Sequence, residues 1–125
     1  MINKNNTSIL VVDDERDICL MISEILQEQG YNVKTALNKD TAIKIIEESG
    51  ITLLITDIWM QDNDIAGIEL LEWCKNYNSL IPVLIMSGHG TIETAMSAAK
   101  NGAYDFIEKP FNTDRLLLLI EKSLK

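Results

Sequence analysis

The residues with the most chemistry in them stand at the ends of apolar runs. Ile9-Leu10-Val11-Val12 ends in Asp13 and Asp14, Leu53-Leu54-Ile55-Thr56 ends in Asp57, and Val83-Leu84-Ile85-Met86 ends in Ser87. The short run Phe106-Ile107 leads through Glu108 into Lys109-Pro110. Three carboxylates in one partly dry pocket repel one another, and a hard divalent cation removes that repulsion. Magnesium suits a site of few carboxylates completed by water. A carboxylate is also a competent nucleophile toward phosphorus. The oxygens of an incoming phosphoryl group then need partners, which a cation, the Lys109 ammonium and the Ser87 hydroxyl can supply. Taken singly, each residue has a plainer explanation. Asp13 and Asp14 precede a helix, where acids are favoured, Ser87 suits a turn and Lys109 a solvated surface. The shared placement at four strand ends is what points to phosphoryl transfer by positioning and charge neutralisation.

The elements that must carry these residues alternate. Strand-like runs fall near 8–12, 32–36, 52–56, 82–86 and 104–107. After the first, Ile18, Met21, Ile22, Ile25 and Leu26 follow helical spacing, as do Ile92, Ala95, Met96 and Ala99 after the fourth. A second helix holds Ala42, Ile45 and Ile46 and ends by Gly50, a third holds Ile68, Leu71 and Cys74, and a fifth covers 113–124. Gly30 and Gly102 stand where helix C-caps belong. Alternating β and α implies right-handed crossovers and a parallel sheet covered on both faces. Runs one, three and four are almost wholly apolar, as central strands are, while runs two and five carry polar residues suited to edges. This gives an α/β, doubly wound, five-stranded parallel sheet of order 2-1-3-4-5, the flavodoxin-like (βα)5 fold. Its switch point, at the carboxyl ends of strands one and three, holds Asp13, Asp14 and Asp57.

Composition narrows the function further. One domain, 1–125, accommodates the 125 residues, and 46% hydrophobic content argues against disorder. The net charge of −8 disfavours a direct grip on nucleic acid or on an anionic membrane. No apolar run approaches the ~20 residues of a membrane-spanning helix. The opening residues carry no apolar signal segment, and Cys19 and Cys74 read as reduced thiols. The expected compartment is the cytoplasm.

Val11-Val12-Asp13-Asp14-Glu15, Thr56-Asp57-Ile58-Trp59-Met60, Met86-Ser87-Gly88 and Lys109-Pro110-Phe111, in this order and spacing, resemble the receiver domain of a bacterial two-component response regulator. The likeness covers essentially the whole chain. It implies that Asp57 is the phosphoacceptor, with Ser87 and Lys109 completing the catalytic set. Mg²⁺ would be held by Asp14, Asp57 and the main-chain carbonyl of Trp59, with Asp13 acting through a bound water. The Lys109–Pro110 bond would be cis. Ser87 and Phe106 would form the switch, and Trp59 and His89 would tune the lifetime of the acyl phosphate. The resemblance further implies a signalling domain rather than an enzyme, with self-catalysed phosphotransfer and autodephosphorylation only. Its phosphodonor would be a sensor histidine kinase.

Met86-Ser87-Gly88-His89-Gly90-Thr91-Ile92-Glu93 is most similar to NtrX/NtrC-type regulators. That likeness implies transcription regulation through an effector with AAA+ and DNA-binding parts. The chain is then either a stand-alone receiver or, as the subfamily likeness favours, the N-terminal domain of a longer regulator. The loop from Asp57 to Gly67 is two residues longer than usual and has Gln61 where most receivers have proline, a departure that NtrX-like receivers share. Ser87 replaces the commoner threonine and keeps the hydroxyl; Phe106 replaces the commoner tyrosine and loses one.

Phosphorylation adds about −1.5 to −2 charge at one spot. The fourth helix, fifth strand and fifth helix form the face expected to respond. Leu116 to Ile120 surround the fifth helix, which suits either a homodimer or interdomain surface there or a helix roofed by its neighbours. Two enzyme or ligand-binding alternatives fit less well. A haloacid dehalogenase-type phosphatase needs a D-x-D pair that includes the nucleophile, whereas Asp13 and Asp14 are adjacent and Asp57 stands alone. A nucleotide or flavin domain needs a glycine-rich loop after strand one, where this chain reads Asp-Asp-Glu-Arg-Asp.

Overall fold

The computed structural model describes residues 4–58, 60, 66–88, 97 and 100–125. After a short 3₁₀ turn, Lys4–Asn6, the chain runs β1 (Ser8–Val12), α1 (Arg16–Glu28), β2 (Asn32–Ala36), α2 (Lys39–Glu48), β3 (Leu53–Asp57) and α3 (Ala66–Tyr77). It continues through β4 (Val83–Ser87) and β5 (Asp105–Glu108) to a C-terminal helix, Thr113–Ser123. The strand pairings are parallel, as the alternation of periods implies, and the order is β2-β1-β3-β4-β5, as the polar edge runs suggest. The helix expected between β4 and β5 falls mostly outside the described residues, although Ser97 and Lys100 are helical.

Register brings the strand ends together. Val12 pairs with both Ala36 and Thr56, Asp57 with Met86, and Ser87 with Glu108. Three strands lie one residue later than the apolar runs suggest: Leu53–Asp57 for 52–56, Val83–Ser87 for 82–86 and Asp105–Glu108 for 104–107. Apolar runs mark the core, whereas the ladder follows main-chain pairing, which continues through the polar residue at the end of each strand.

Alternation along each strand sorts the core into two layers. Leu10, Val12, Leu54 and Ile85 pack with Ala42 and Ile46 of α2 and Leu70 and Leu71 of α3. Ile9, Val11, Ile55 and Leu84 pack on the other face with Ile22 and Leu26 of α1 and Leu116 and Ile120 of the C-terminal helix. Met21, expected on the inner face of α1, is 43% exposed, and Cys19 takes that place. The buried stripe is centred on Cys19, Ile22 and Leu26, and at 100° per residue Met21 falls on its far flank. In the C-terminal helix Leu116, Leu119 and Ile120 are buried and Leu117 packs beside them, which leaves Leu118 48% exposed. Gly30 (φ +97°) and Gly102 (φ +102°) adopt the left-handed conformation expected of C-caps. Among the described residues no helix is long and apolar enough to cross a membrane.

Among the described residues, two helices are capped by asparagine. The Asn38 side chain accepts from the Thr41 N–H at 2.8 Å, and that of Asn112 accepts from the Arg115 N–H at 3.1 Å. Each cap satisfies an amide that the helix itself cannot. Asn112→Ala is expected to cost about 1 kcal/mol, seen as a fall of roughly 4 °C in Tm. Thermal melting by circular dichroism checks this, and an unchanged midpoint would show that solvent replaces the cap.

Candidate functional site

The site is built where β1, β3, β4 and β5 end. Past β1, the Asp13 N–H donates to the Ala36 carbonyl at 3.1 Å and so ties the turn to the end of β2. The Asp13 carboxylate is wholly buried, and its two oxygens have different partners. Oδ1 accepts the Glu15 N–H at 2.9 Å, and Oδ2 accepts from Lys109 Nζ at 2.6 Å. Asp13 therefore shapes the turn into α1 without capping it; the N-cap residue is Glu15, whose side chain makes no capping bond. Asp14, next along, is exposed.

Asp57 is the last residue of β3 and is 7% exposed. Pairing continues one residue further, since the Ile58 N–H donates to the Met86 carbonyl at 3.1 Å. Asp57 Oδ2 lies 3.2 Å from Lys109 Nζ. One ammonium thus bridges the two buried carboxylates, and it is only 16% exposed itself. Ser87 ends β4 and is buried, and its carbonyl accepts the Lys109 N–H at 2.8 Å. The residue after β5 is thereby fastened to the hydroxyl-bearing one that ends β4. The Lys109–Pro110 bond is cis. Phe106, opposite Ile85, is half-buried and packs against the layer that α2 and α3 cover.

Charge and burial explain the proton affinities. Burial pushes the Asp57 carboxyl above the usual range; the Asp13 charge adds to this, and the attraction of Lys109 only partly offsets it. For Lys109, burial alone would lower the value, but the hydrogen bond to Asp13 and the charges of Asp57 and Asp13 outweigh it and the net shift is upward. The asymmetry follows the distances. Lys109 sits closer to Asp13, so Asp57 receives the weaker share of its countercharge.

Ligand-capable oxygens of Asp13, Asp14 and Asp57 all lie within 4.8 Å of one another. Three carboxylates at that spacing form a hard, all-oxygen donor set, which fits a small divalent cation and is the wrong chemistry for a soft metal. Of the residues singled out from the sequence, Asp13, Asp14, Asp57 and Lys109 converge, Ser87 stands on the neighbouring strand end, and Phe106 lies on β5. Trp59 and His89 are outside the described residues. Cys19 is an addition that no spacing announces. Its Sγ approaches the Asp13 carbonyl at 3.4 Å from beneath, and burial raises the thiol to about 11, so it is protonated at neutral pH.

A doubly wound parallel sheet with three carboxylates and a part-buried lysine at its switch point defines a receiver-type signalling domain. The chain belongs to the response regulator receiver domain family, whose sequence profile matches residues 9–121. It is 49% identical over 115 residues to a putative response regulator, NtrX-like, of Rickettsia bellii, a match that covers 92% of this chain and 24% of that protein. The crystal structure of the receiver domain of NtrX from Brucella abortus superimposes with a TM-score of 0.87 at 46% identity, covering 93% of this chain and 97% of that one. The beryllofluoride-activated NtrC4 receiver domain dimer also gives a TM-score of 0.87, at 38% identity, covering 94% of this chain and 95% of that one. The chain thus spans about a quarter of the length of the full regulator it matches.

Proposed function

We propose that residues 1–125 act as one phosphorylation switch, accepting a phosphoryl group on Asp57 from the phosphohistidine of a sensor kinase. The observation that carries this is the pairing of one part-buried lysine with two buried carboxylates beside a third, exposed one. A structural ion pair needs no third acid, and the surplus negative charge suits a cation. Mg²⁺ held by Asp13, Asp14 and Asp57, with the Trp59 carbonyl, would neutralise that charge and draw electron density from a phosphoryl oxygen.

An oxygen of Asp57 forms the new bond to phosphorus as the bond from phosphorus to the donor imidazole nitrogen breaks, and the electron pair leaves with the imidazole. Lys109, already aimed at Asp57, moves its charge onto the new phosphoryl oxygens. The Ser87 hydroxyl donates to another of them. Hydrolysis reverses the modification when water attacks phosphorus and the Asp57 carboxylate departs, with His89 and Trp59 setting how readily water arrives.

Output follows from the same two groups. Ser87 leads toward the fourth helical segment and Lys109 follows β5, so their movement biases that face between two arrangements, with Phe106 turning inward as Ser87 shifts. Tyr104, just before β5, and Leu118 of the C-terminal helix are each 48% exposed and present apolar surface. This supports a homodimer or interdomain contact there, and the similar NtrC4 receiver is a dimer in its activated form. The controlled element would be an effector with AAA+ and DNA-binding parts that regulates transcription in the cytoplasm.

Labelling by acetyl phosphate tests the reaction. With Mg²⁺ the protein should gain one phosphoryl mass that hydroxylamine removes, and EDTA should cut the rate at least a hundredfold. Labelling that proceeds equally in EDTA would overturn the metal-assisted reading.

A further inference from the structure

Asp57 is the last residue of its strand, so the sheet holds its main chain well on one side only. Beyond it, the Ile58 N–H still reaches Met86. The remaining constraint comes from α3. Gly67, buried and second in that helix, donates its N–H to the Ile58 carbonyl at 2.8 Å. The first amides of a helix have no intrahelical acceptor, and here one of them is directed at the residue after the phosphoacceptor. The approach is so close that a Cβ on Gly67 would overlap the Asp57 carbonyl oxygen outright and stand 2.6 Å from Ile58 Cα and 2.8 Å from the Asp57 carbonyl carbon. Both Asp57 and Ile58 are main chain at these points, so neither can yield as the tip of a side chain could. The absence of a side chain, not any unusual backbone angle, is what this position requires.

We propose that Gly67 is a positioning residue for the phosphoacceptor: the first turn of α3 rests directly on the main chain of Asp57 and Ile58 and fixes where the Asp57 carboxylate stands relative to Asp13 and Lys109. This inference rests on the reading of Asp57 as the acceptor. Gly67 is thus tied to the residue after Asp57 by a main-chain hydrogen bond as well as by close packing.

Gly67→Ala forces the two backbones apart. A displacement approaching an ångström is expected to slow Asp57 labelling by roughly tenfold to a hundredfold. The loss should fall in the maximal rate at saturating acetyl phosphate and Mg²⁺, measured well below the melting temperature. Leu71→Ala, on the same helix and fully buried in the layer that α2 and α3 cover, is the control. It should lower the melting temperature and leave the maximal rate of the folded protein within about twofold. Labelling of Gly67→Ala at the wild-type rate would overturn the proposal, as would an equal fall in the Leu71 variant. Failure of the wild-type protein to label at all would instead overturn the assignment of Asp57. Should Gly67→Ala not fold, amide hydrogen exchange on the wild-type protein decides. The Gly67 amide should be as protected as those of β3 and should shift in resonance when acetyl phosphate and Mg²⁺ are added. An amide that exchanges like an open helix N-terminus, or ignores the modification, would overturn the proposal.

Discussion

Lys109→Met is expected to destabilise the metal-free fold by about 3 kcal/mol, a fall of roughly 10 °C in Tm, and at the same time to tighten Mg²⁺ binding. The ammonium is the shared countercharge of Asp13 at 2.6 Å and Asp57 at 3.2 Å, and both carboxylates are buried. Methionine keeps much of the stem's volume and removes the charge, leaving two anions to face each other in a poorly solvated pocket. An unpaired buried charge costs far more than a surface ion pair is worth. The same electrostatics makes the emptied pocket a stronger cation site. A divalent ion no longer competes with an ammonium for the same oxygens, so affinity should rise about tenfold. Melting in EDTA and in excess Mg²⁺ separates the two effects: the variant should lie well below the wild type in the first and recover most of the difference in the second. Equal melting temperatures in EDTA would mean that the bridge contributes nothing. The variant should also label poorly despite its tighter metal, because no ammonium meets the phosphoryl oxygens.

Asp57→Asn is expected to abolish labelling and yet stabilise the metal-free protein, by about 1 kcal/mol at neutral pH, or roughly 4 °C. Burial and the Asp13 charge hold the Asp57 carboxyl above its ordinary value of 3.8 despite Lys109. A carboxyl raised on folding contributes stability that is fully present below its unfolded value and is lost as pH rises through the folded one. The wild type therefore loses stability relative to the amide as pH climbs from about 4 through that raised value, after which the gap is constant. The advantage of asparagine should be near zero in acid and complete by neutral pH. Lys109 works in the opposite part of the scale. Its raised value means that its contribution holds below its ordinary 10.5 and is lost only in stronger alkali, so it does not obscure the acid limb. Excess Mg²⁺ should reverse the order of the two proteins at pH 7, since the amide removes one ligand. A variant less stable than the wild type in EDTA at neutral pH would show that the Lys109 attraction, not the burial penalty, dominates at Asp57.

These effects trace to features that differ in how plainly the chain displays them. The runs ending in Asp13, Asp57 and Ser87 mark both the strands and the site, because a buried parallel strand is apolar until it emerges at its carboxyl end. Sheet order follows from which runs carry polar residues, as Lys34 and Asp105 do on the two edges. Strand limits are less visible, since Asp57 and Ser87 pair in the ladder although their side chains are polar. The inner face of α1 is misjudged at Met21 because apolar spacing alone does not show that Cys19 centres the stripe. The partition of Lys109 between Asp13 and Asp57 is set by the β5 end, 96 residues from the first and 52 from the second, and no local pattern encodes it. The need for glycine at Gly67 does not show until the start of α3 is laid against the Asp57 main chain.

The most direct measurement is intact mass after incubation with acetyl phosphate and Mg²⁺, on the wild-type protein and on Asp57→Asn side by side. The account predicts a single phosphoryl adduct on the wild type, removed by hydroxylamine, and none on the variant. An equal adduct on both proteins, or none on the wild type, would contradict it.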